Sequence, residues 1–322
     1  MALLEQLKFA QGAIKKNNIT PELEYYQIKY GRVVGYNGHM ALSAPIDLDI
    51  EAKPKADIFY KALDACGDAI AIDMTPAGRL HITSGTFSAY IQCTEKEVYE
   101  ASPQGDKYPS PPGLAAAFRR MLPFISEDAS RPWAMGLLVD HSCLTATNNI
   151  IIVQEWVGHA LPTFNCPRFA VAEIARIGRD PVEVQVSPNT VTFHYEDGSW
   201  LLTQRLATEW PAERMNAILD RPSEQAPLPE GFFAAVDKIK PFILEGHHSG
   251  VYFEDGAIRT ASPGAQEGAR IEIPGLMGGP IFNIKAISLL DGFVDTIDLT
   301  AYPAPCIFFG KQVRGAVLGM NL

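Results

Sequence analysis

The chain is poor in features that would mark it as secreted, membrane-bound or catalytic. Its cysteines, Cys66, Cys93, Cys143, Cys166 and Cys306, are scattered with no CxxC spacing. Neither a zinc site nor a disulfide framework is therefore expected, and reduced thiols in a cytoplasmic protein are the plain reading. No stretch approaches the roughly 18 consecutive apolar residues of a membrane span. The start, Met1-Ala2-Leu3-Leu4-Glu5, lacks the basic lead of a secretory signal. No GxxxxGK[ST], GxGxxG or HExxH motif occurs. Gly246-His247-His248-Ser249-Gly250 is not the GxSxG elbow of a hydrolase; its histidines read as a polar loop before a strand rather than as metal ligands. The acid pairs Asp47/Asp49 and Asp295/Asp298 have no basic or metal-binding neighbour in sequence and read as surface acids. No catalytic residue, metal or cofactor is expected. A hydrolase assembled from scattered acids and histidines stays open, and divalent-metal-dependent activity would reveal it.

Charge alone also argues against a nucleic-acid partner, because 27 Lys and Arg face 37 Asp and Glu for a net −10. A length of 322 residues exceeds one typical core and suits two or three domains.

A repeat stands out instead. Phe59-Tyr60-Lys61-Ala62-Leu63, Phe169-Ala170-Val171-Ala172-Glu173-Ile174 and Phe282-Asn283-Ile284-Lys285-Ala286-Ile287 each read as the opening of an amphipathic helix. Their starts lie 110 and 113 positions apart. A period this long is a domain rather than a solenoid repeat. Each unit reads as helix, strands, helix, strands. First helices are expected over 3–18, 114–125 and 231–244, and second helices over 55–66, 168–177 and 282–293. Alternating apolar segments punctuated by Gly and Pro fall between them. Proline-rich stretches at 108–113 and 221–229 read as linkers. The fold class is therefore α+β, with three similar domains at 1–108, 109–222 and 223–322, each with two helices packed on antiparallel sheets.

With this order and spacing the chain resembles the bacterial-type DNA sliding clamp, the beta subunit of the replicative polymerase. Local matches support it. Leu144-Thr145-Ala146-Thr147-Asn148-Asn149-Ile150 is similar to the family strand that ends in an Ala-Thr-Asp-Gly-like turn. Trp210-Pro211 is similar to the Phe-Pro that closes the second domain. Phe282-Asn283 matches the Phe-Asn that opens the last helix, and Ala316-Val317-Leu318-Gly319-Met320-Asn321-Leu322 is similar to the C-terminal tail. Asn149-Ile150-Ile151 departs from the family's small and basic turn residues, and Gly319 from a proline. The divergence hints at a phage-encoded member.

The resemblance implies a half-ring of three domains, closed by head-to-tail homodimerisation, with helices lining the hole and sheets outside. The implied partners are double-stranded DNA held topologically, the replicative polymerase and the clamp loader, with no membrane. The helices fit such a lining, since with the residues that follow them, over 3–18, 55–68, 114–125, 168–180, 231–245 and 282–293, they sum to +4 and leave −14 for the rest of the chain. Lys8, Lys15, Lys16, Arg119, Arg120, Arg168, Arg176, Lys238 and Lys240 are the candidate lining, against the plain reading of solvated helix faces. Arg131-Pro132-Trp133 corresponds to a family loop that touches DNA. A partner-peptide pocket is implied at Thr147, Ile152, Pro211, Met215, Asn283, Val317, Leu318, Met320 and Leu322. The alternative is a clamp-like regulator or decoy that does not encircle DNA.

Overall fold

A computed structural model of the chain describes residues 2–15, 19–67, 69–97, 100–243, 249–262 and 267–321. In chain order its elements are α1 (Ala2–Gln11), β1 (Gln27–Lys29), β2 (Arg32–Tyr36), β3 (Met40–Pro45), α2 (Ala56–Asp64), β4 (Ala71–Met74), β5 (Arg79–Ser84), β6 (Phe87–Gln92), β7 (Asp106–Pro109) and α3 (Leu114–Met121). There follow β8 (Gly136–Thr147), β9 (Ile151–Pro167), α4 (Arg168–Ile177), β10 (Glu183–Val186), β11 (Thr190–His194), β12 (Trp200–Gln204) and α5 (Ala212–Leu219). The chain ends with β13 (Ala226–Pro227), α6 (Phe232–Ile239), β14 (Gly250–Glu254), β15 (Ala257–Arg259), β16 (Arg270–Glu272), β17 (Ile281–Asn283), α7 (Ile284–Ser288), β18 (Thr296–Ile297), β19 (Cys306–Gly310) and β20 (Val313–Val317). The class is α+β, and the sheets are antiparallel throughout.

Two compact units result, Met1–Arg119 with Phe169–Leu206, and Arg120–Arg168 with Ala207–Leu322. The first holds a seven-stranded sheet in the order β1-β2-β3-β12-β11-β10-β7 and a three-stranded sheet β4-β5-β6. Strand β3 is apolar and buried along most of its length, as its central place requires; it pairs Leu42 with Leu201 of β12. Helix α1 buries Leu7 and Ala10 against this sheet. The approach is so close that a Cβ on Gly35 of β2 would stand 2.2 Å from the Ala10 carbonyl oxygen. Helix α3 buries Leu114 and Phe118, and Phe118 meets Phe193 edge-on at 5.8 Å. The Asp180 carboxylate accepts from the Gly113 and Ala115 amides at 2.7 and 2.9 Å, which caps that helix with the charge its N-terminus favours.

The second unit holds a six-stranded sheet β13-β18-β19-β20-β9-β8 and a four-stranded sheet β16-β15-β14-β17. Its core includes Phe232, Phe253 and Phe282, in contact at 5.5 and 5.2 Å between ring centres. Strands β8 and β9 are long and continuous, and register shifts around His141 absorb the irregularity.

Several expectations change in detail. The three Phe-led segments are not equivalent. Phe59 is buried within α2 and Phe169 is 42% exposed on α4, while Phe282 lies in strand β17, paired with Val251. The last helix starts two residues later, where Asn283 caps it by accepting from the Lys285 and Ala286 amides. The linker at 108–113 begins inside the edge strand β7. An unexpected helix, α5, follows Pro211.

Candidate functional site

Helix α5 stands on one face of the six-stranded sheet. Met215 and Leu219 pack on Ile152 of β9, Ala316 of β20 and Ile307 of β19, with Trp133, Trp210 and Ile218 around them. Trp133 and Trp210 meet edge-on at 5.2 Å. Beside this cluster opens a groove of about 470 Å³, within the range of small-ligand and anchor sites. Ile152, Met215 and Ala316 form its floor, Trp133, Ile218, Pro305 and Leu318 its walls, and Arg131, Asn149, Ile150 and Arg214 its rim, with Thr147 and Ile151 completing the lining.

The rim turn is locked. The Asn148 carboxamide accepts from the Ile150 and Ile151 amides at 3.1 and 2.8 Å. Thr147 donates its hydroxyl to the Ile151 carbonyl at 2.8 Å and accepts from the Asn149 amide at 3.1 Å. Asn149 adopts φ +73°, a conformation Asn tolerates better than most residues. Arg131 donates to the Asn149 carboxamide oxygen at 2.7 Å. The chain's end forms one wall. Leu318 donates its amide to the Ile150 carbonyl at 2.8 Å and Met320 to the Ile281 carbonyl at 2.7 Å. The Tyr302 hydroxyl donates to the Met320 carbonyl at 2.6 Å. A Cβ at Gly319 would lie 2.5 Å from the Tyr302 ring, so the tail and ring fit only because this residue is glycine.

Of the pocket residues named from sequence, Thr147, Ile152, Met215 and Leu318 line this groove. Pro211 stands just before α5, Asn283 caps α7, Val317 is fully buried between Ile151 and Cys306, and Met320 is half-buried in the tail. Leu322 lies outside the described residues. Sequence reasoning did not place Ile150, Arg214, Ile218, Pro305 or Ala316 here. The apolar spacing of Met215, Ile218 and Leu219 behind a proline was the available signal for α5. Arg131 and Trp133, taken from sequence as a DNA-touching loop, lie on the groove.

The cationic candidates divide by what they touch. Lys8, Lys15, Lys238 and Lys240 are exposed and enter none of the ion pairs formed among the described residues. Lys16 lies outside those residues. Arg119 donates to the Ala175 carbonyl at 2.7 Å. Arg120 pairs with Glu155, a carboxylate buried on β9. Arg168 holds Glu127 at 2.5 Å and the Leu122 carbonyl at 3.1 Å. Arg176 pairs with Glu173 one turn earlier at 2.5 Å. No group of three or more His, Cys, Asp or Glu among the described residues is placed to hold a metal; His247 and His248 lie outside them. No helix is long and apolar enough to cross a membrane among the described residues.

No protein-family profile matches the sequence, and no curated protein matches it either. Solved structures do. A DNA polymerase sliding clamp from Bacillus subtilis matches with a TM-score of 0.85 over 100% of this chain and 97% of that one, at 16% identity. The chain has the sliding-clamp fold. A DnaN clamp from Bartonella birtlesii, bound to griselimycin, gives 0.83 over 100% and 98%, also at 16% identity. The C. crescentus beta sliding clamp gives 0.83 over 100% and 97% at 16%. At such identities the likeness is one of fold, so the roles of residues within this clamp fold rest on their own geometry.

Proposed function

We propose that the protein is a DNA sliding clamp, a non-enzymatic processivity factor that encircles double-stranded DNA without reading its sequence. The similarity of fold from end to end carries this reading. In it, the chain comprises three clamp domains, 1–108, 109–222 and 223–322, and two chains close head to tail into a ring, as a heterologous contact does when its rotation closes. Lys8, Lys15, Lys16, Lys238 and Lys240 face phosphates, joined by those arginines whose guanidinium groups remain partly open to solvent. Phosphate contacts position a protein but read no bases, so binding is loose and topology does the holding. The groove beside α5 receives short peptide segments of the replicative polymerase and the clamp loader. The site of action is the cytoplasm of a bacterial cell, or of the host if the chain is phage-encoded.

Solution mass by light scattering at micromolar concentration is the first test. The expected mass is twice 35.2 kDa, followed by retention on circular but not linear DNA. A chain that stays monomeric at high concentration, binds polymerase peptides and is not retained on circles would overturn the ring. It would mark a regulator or decoy built on the clamp fold.

A further inference from the structure

The groove combines an apolar floor with a charge that runs against the rest of the chain. Among the residues lining it there is no Asp or Glu, while two guanidiniums, Arg131 and Arg214, stand on it. The chain as a whole carries −10. The two cations come from separate elements. Arg131 precedes the turn into β8, and Arg214 projects from α5, exposed and without an ion pair among the described residues.

The main chain around the groove has little left to offer a ligand. Ile151 and Ile152 are paired with β8 or β20 on both sides, so no free strand edge invites an added strand. The amides of Asn149, Ile150 and Ile151 are bound to side chains of their own turn, and the Ile150 carbonyl accepts from Leu318. The Thr147 hydroxyl both donates and accepts within that turn. Polar recognition therefore falls to Arg131 and Arg214. Guanidinium groups only donate, and they match carboxylates two bonds at a time.

Resting on the reading of this groove as the partner site, we propose that it selects acidic peptides. The occupant is a short segment whose aliphatic or aromatic anchor fills the floor at Ile152, Met215 and Ala316, with Asp or Glu flanking the anchor to meet Arg131 and Arg214. Asn149 holds Arg131 in place for this contact. The floor supplies affinity common to any apolar anchor, and the two guanidiniums discriminate among anchors by what flanks them.

The test is fluorescence anisotropy on the full chain with three labelled peptides that share one Leu-Phe anchor. One is flanked by Asp, one by Asn and one by Lys; a short duplex DNA is the fourth probe. The Asp peptide should bind about tenfold more tightly than its Asn counterpart at low salt, and the Lys peptide most weakly. Arg131→Gln with Arg214→Gln should bring the Asp peptide down to the affinity that its Asn counterpart shows for the same variant, and circular dichroism should show the variant folded. Equal affinity for the Asp and Asn peptides overturns the acidic selection while the groove keeps its role. Failure of all three peptides to bind overturns the partner-site reading itself. Displacement of the Asp peptide by duplex, with duplex binding weakened equally by the two substitutions, also overturns it and assigns both guanidiniums to DNA.

Discussion

Arg120 lies on the expected DNA-facing set and also touches Glu155, and the two roles predict opposite results. Glu155 is 2% exposed on β9, where it pairs across the sheet with Val313. The Arg120 Nη2 donates to its Oε1, and Nε reaches Oε2 at 3.4 Å. Replacing Arg120 by Met keeps the aliphatic stem and removes the charge, which leaves a carboxylate buried without its partner. Breaking a buried pair this way costs about 3–5 kcal/mol. The Arg120 side chain is 49% exposed, so the pair is half solvated and a destabilisation of about 2–3 kcal/mol is expected. For a domain of this size that lowers the melting temperature by roughly 5–10 °C. Differential scanning fluorimetry and urea titration would read it. Arg120→Met with Glu155→Leu should recover most of the stability, because an apolar pair of similar volume fills the site without a stranded charge. If Arg120→Met melts with the parent protein and instead binds duplex more weakly, the pair contributes nothing and the reasoning fails.

Four further outcomes follow from the same structure. Replacing Lys8, Lys15, Lys238 and Lys240 together by Gln should leave stability unchanged. It should also flatten the plot of log affinity for duplex DNA against log salt by up to about 0.9 for each phosphate no longer neutralised. Burial would raise the Asp298 carboxyl, but hydrogen bonds from the Thr300 hydroxyl and from the Thr300 and Glu224 amides hold it below its usual value. A depressed folded pKa gives stability that is present above about pH 4 and lost as pH falls through the folded value; Asp298→Asn should therefore destabilise at pH 7 and reduce the acid-induced loss in urea titrations. Burial pushes the Cys306 thiol up to about 12 and the Cys166 thiol further, so a thiol reagent at pH 8 should label Cys66, Cys93 and Cys143 in the native chain and the other two only after unfolding. Tyr302→Phe should weaken anchor-peptide binding about three- to fivefold by releasing the tail wall, and Gly319→Ala should weaken it more, both read by anisotropy.

Much of the fold was legible because local chemistry and tertiary packing agree there. Strand β2 lies between Gly31 and the turn at Gly38, as a segment punctuated by glycine should, and α4 appears over the same residues that its apolar spacing indicates. Disagreement arises where a local signal serves two purposes. Phe282 looked like a helix opener because Asn283 behind it is one; the Phe itself belongs to the sheet core. The proline-rich stretch at 108–113 read as linker, yet Pro109 ends an edge strand, where its missing N–H is tolerated. Helix α5 is only eight residues long and follows a proline, so a tail-of-domain reading concealed it. The groove was half legible for a similar reason. Thr147, Ile152, Met215 and Leu318 are named through the family resemblance, whereas Arg131, Arg214 and Pro305 meet them only through the packing of distant segments, which no periodicity records.

The departures from the family's local pattern converge on this one groove. Asn149-Ile150-Ile151 stands where the resembled family has small and basic turn residues, and its side chains supply bulk and a fixed turn but no cation. The positive charge on this rim comes from Arg131, held by Asn149 at 2.7 Å, and from Arg214. Ile150 is 40% exposed beside it, which adds apolar surface to the rim. At the opposite wall, Gly319 replaces a proline, and the space it leaves is taken by the Tyr302 ring, whose hydroxyl fastens the Met320 carbonyl. Any side chain at 319 collides with Tyr302. Gly319 and Tyr302 are thus mutually dependent through direct contact, as residues in one packed site are. Restoring one of them to the family's residue, as in Gly319→Pro, should therefore impair the groove rather than improve it, and Tyr302→Ala should relieve that impairment by opening the space the ring now fills.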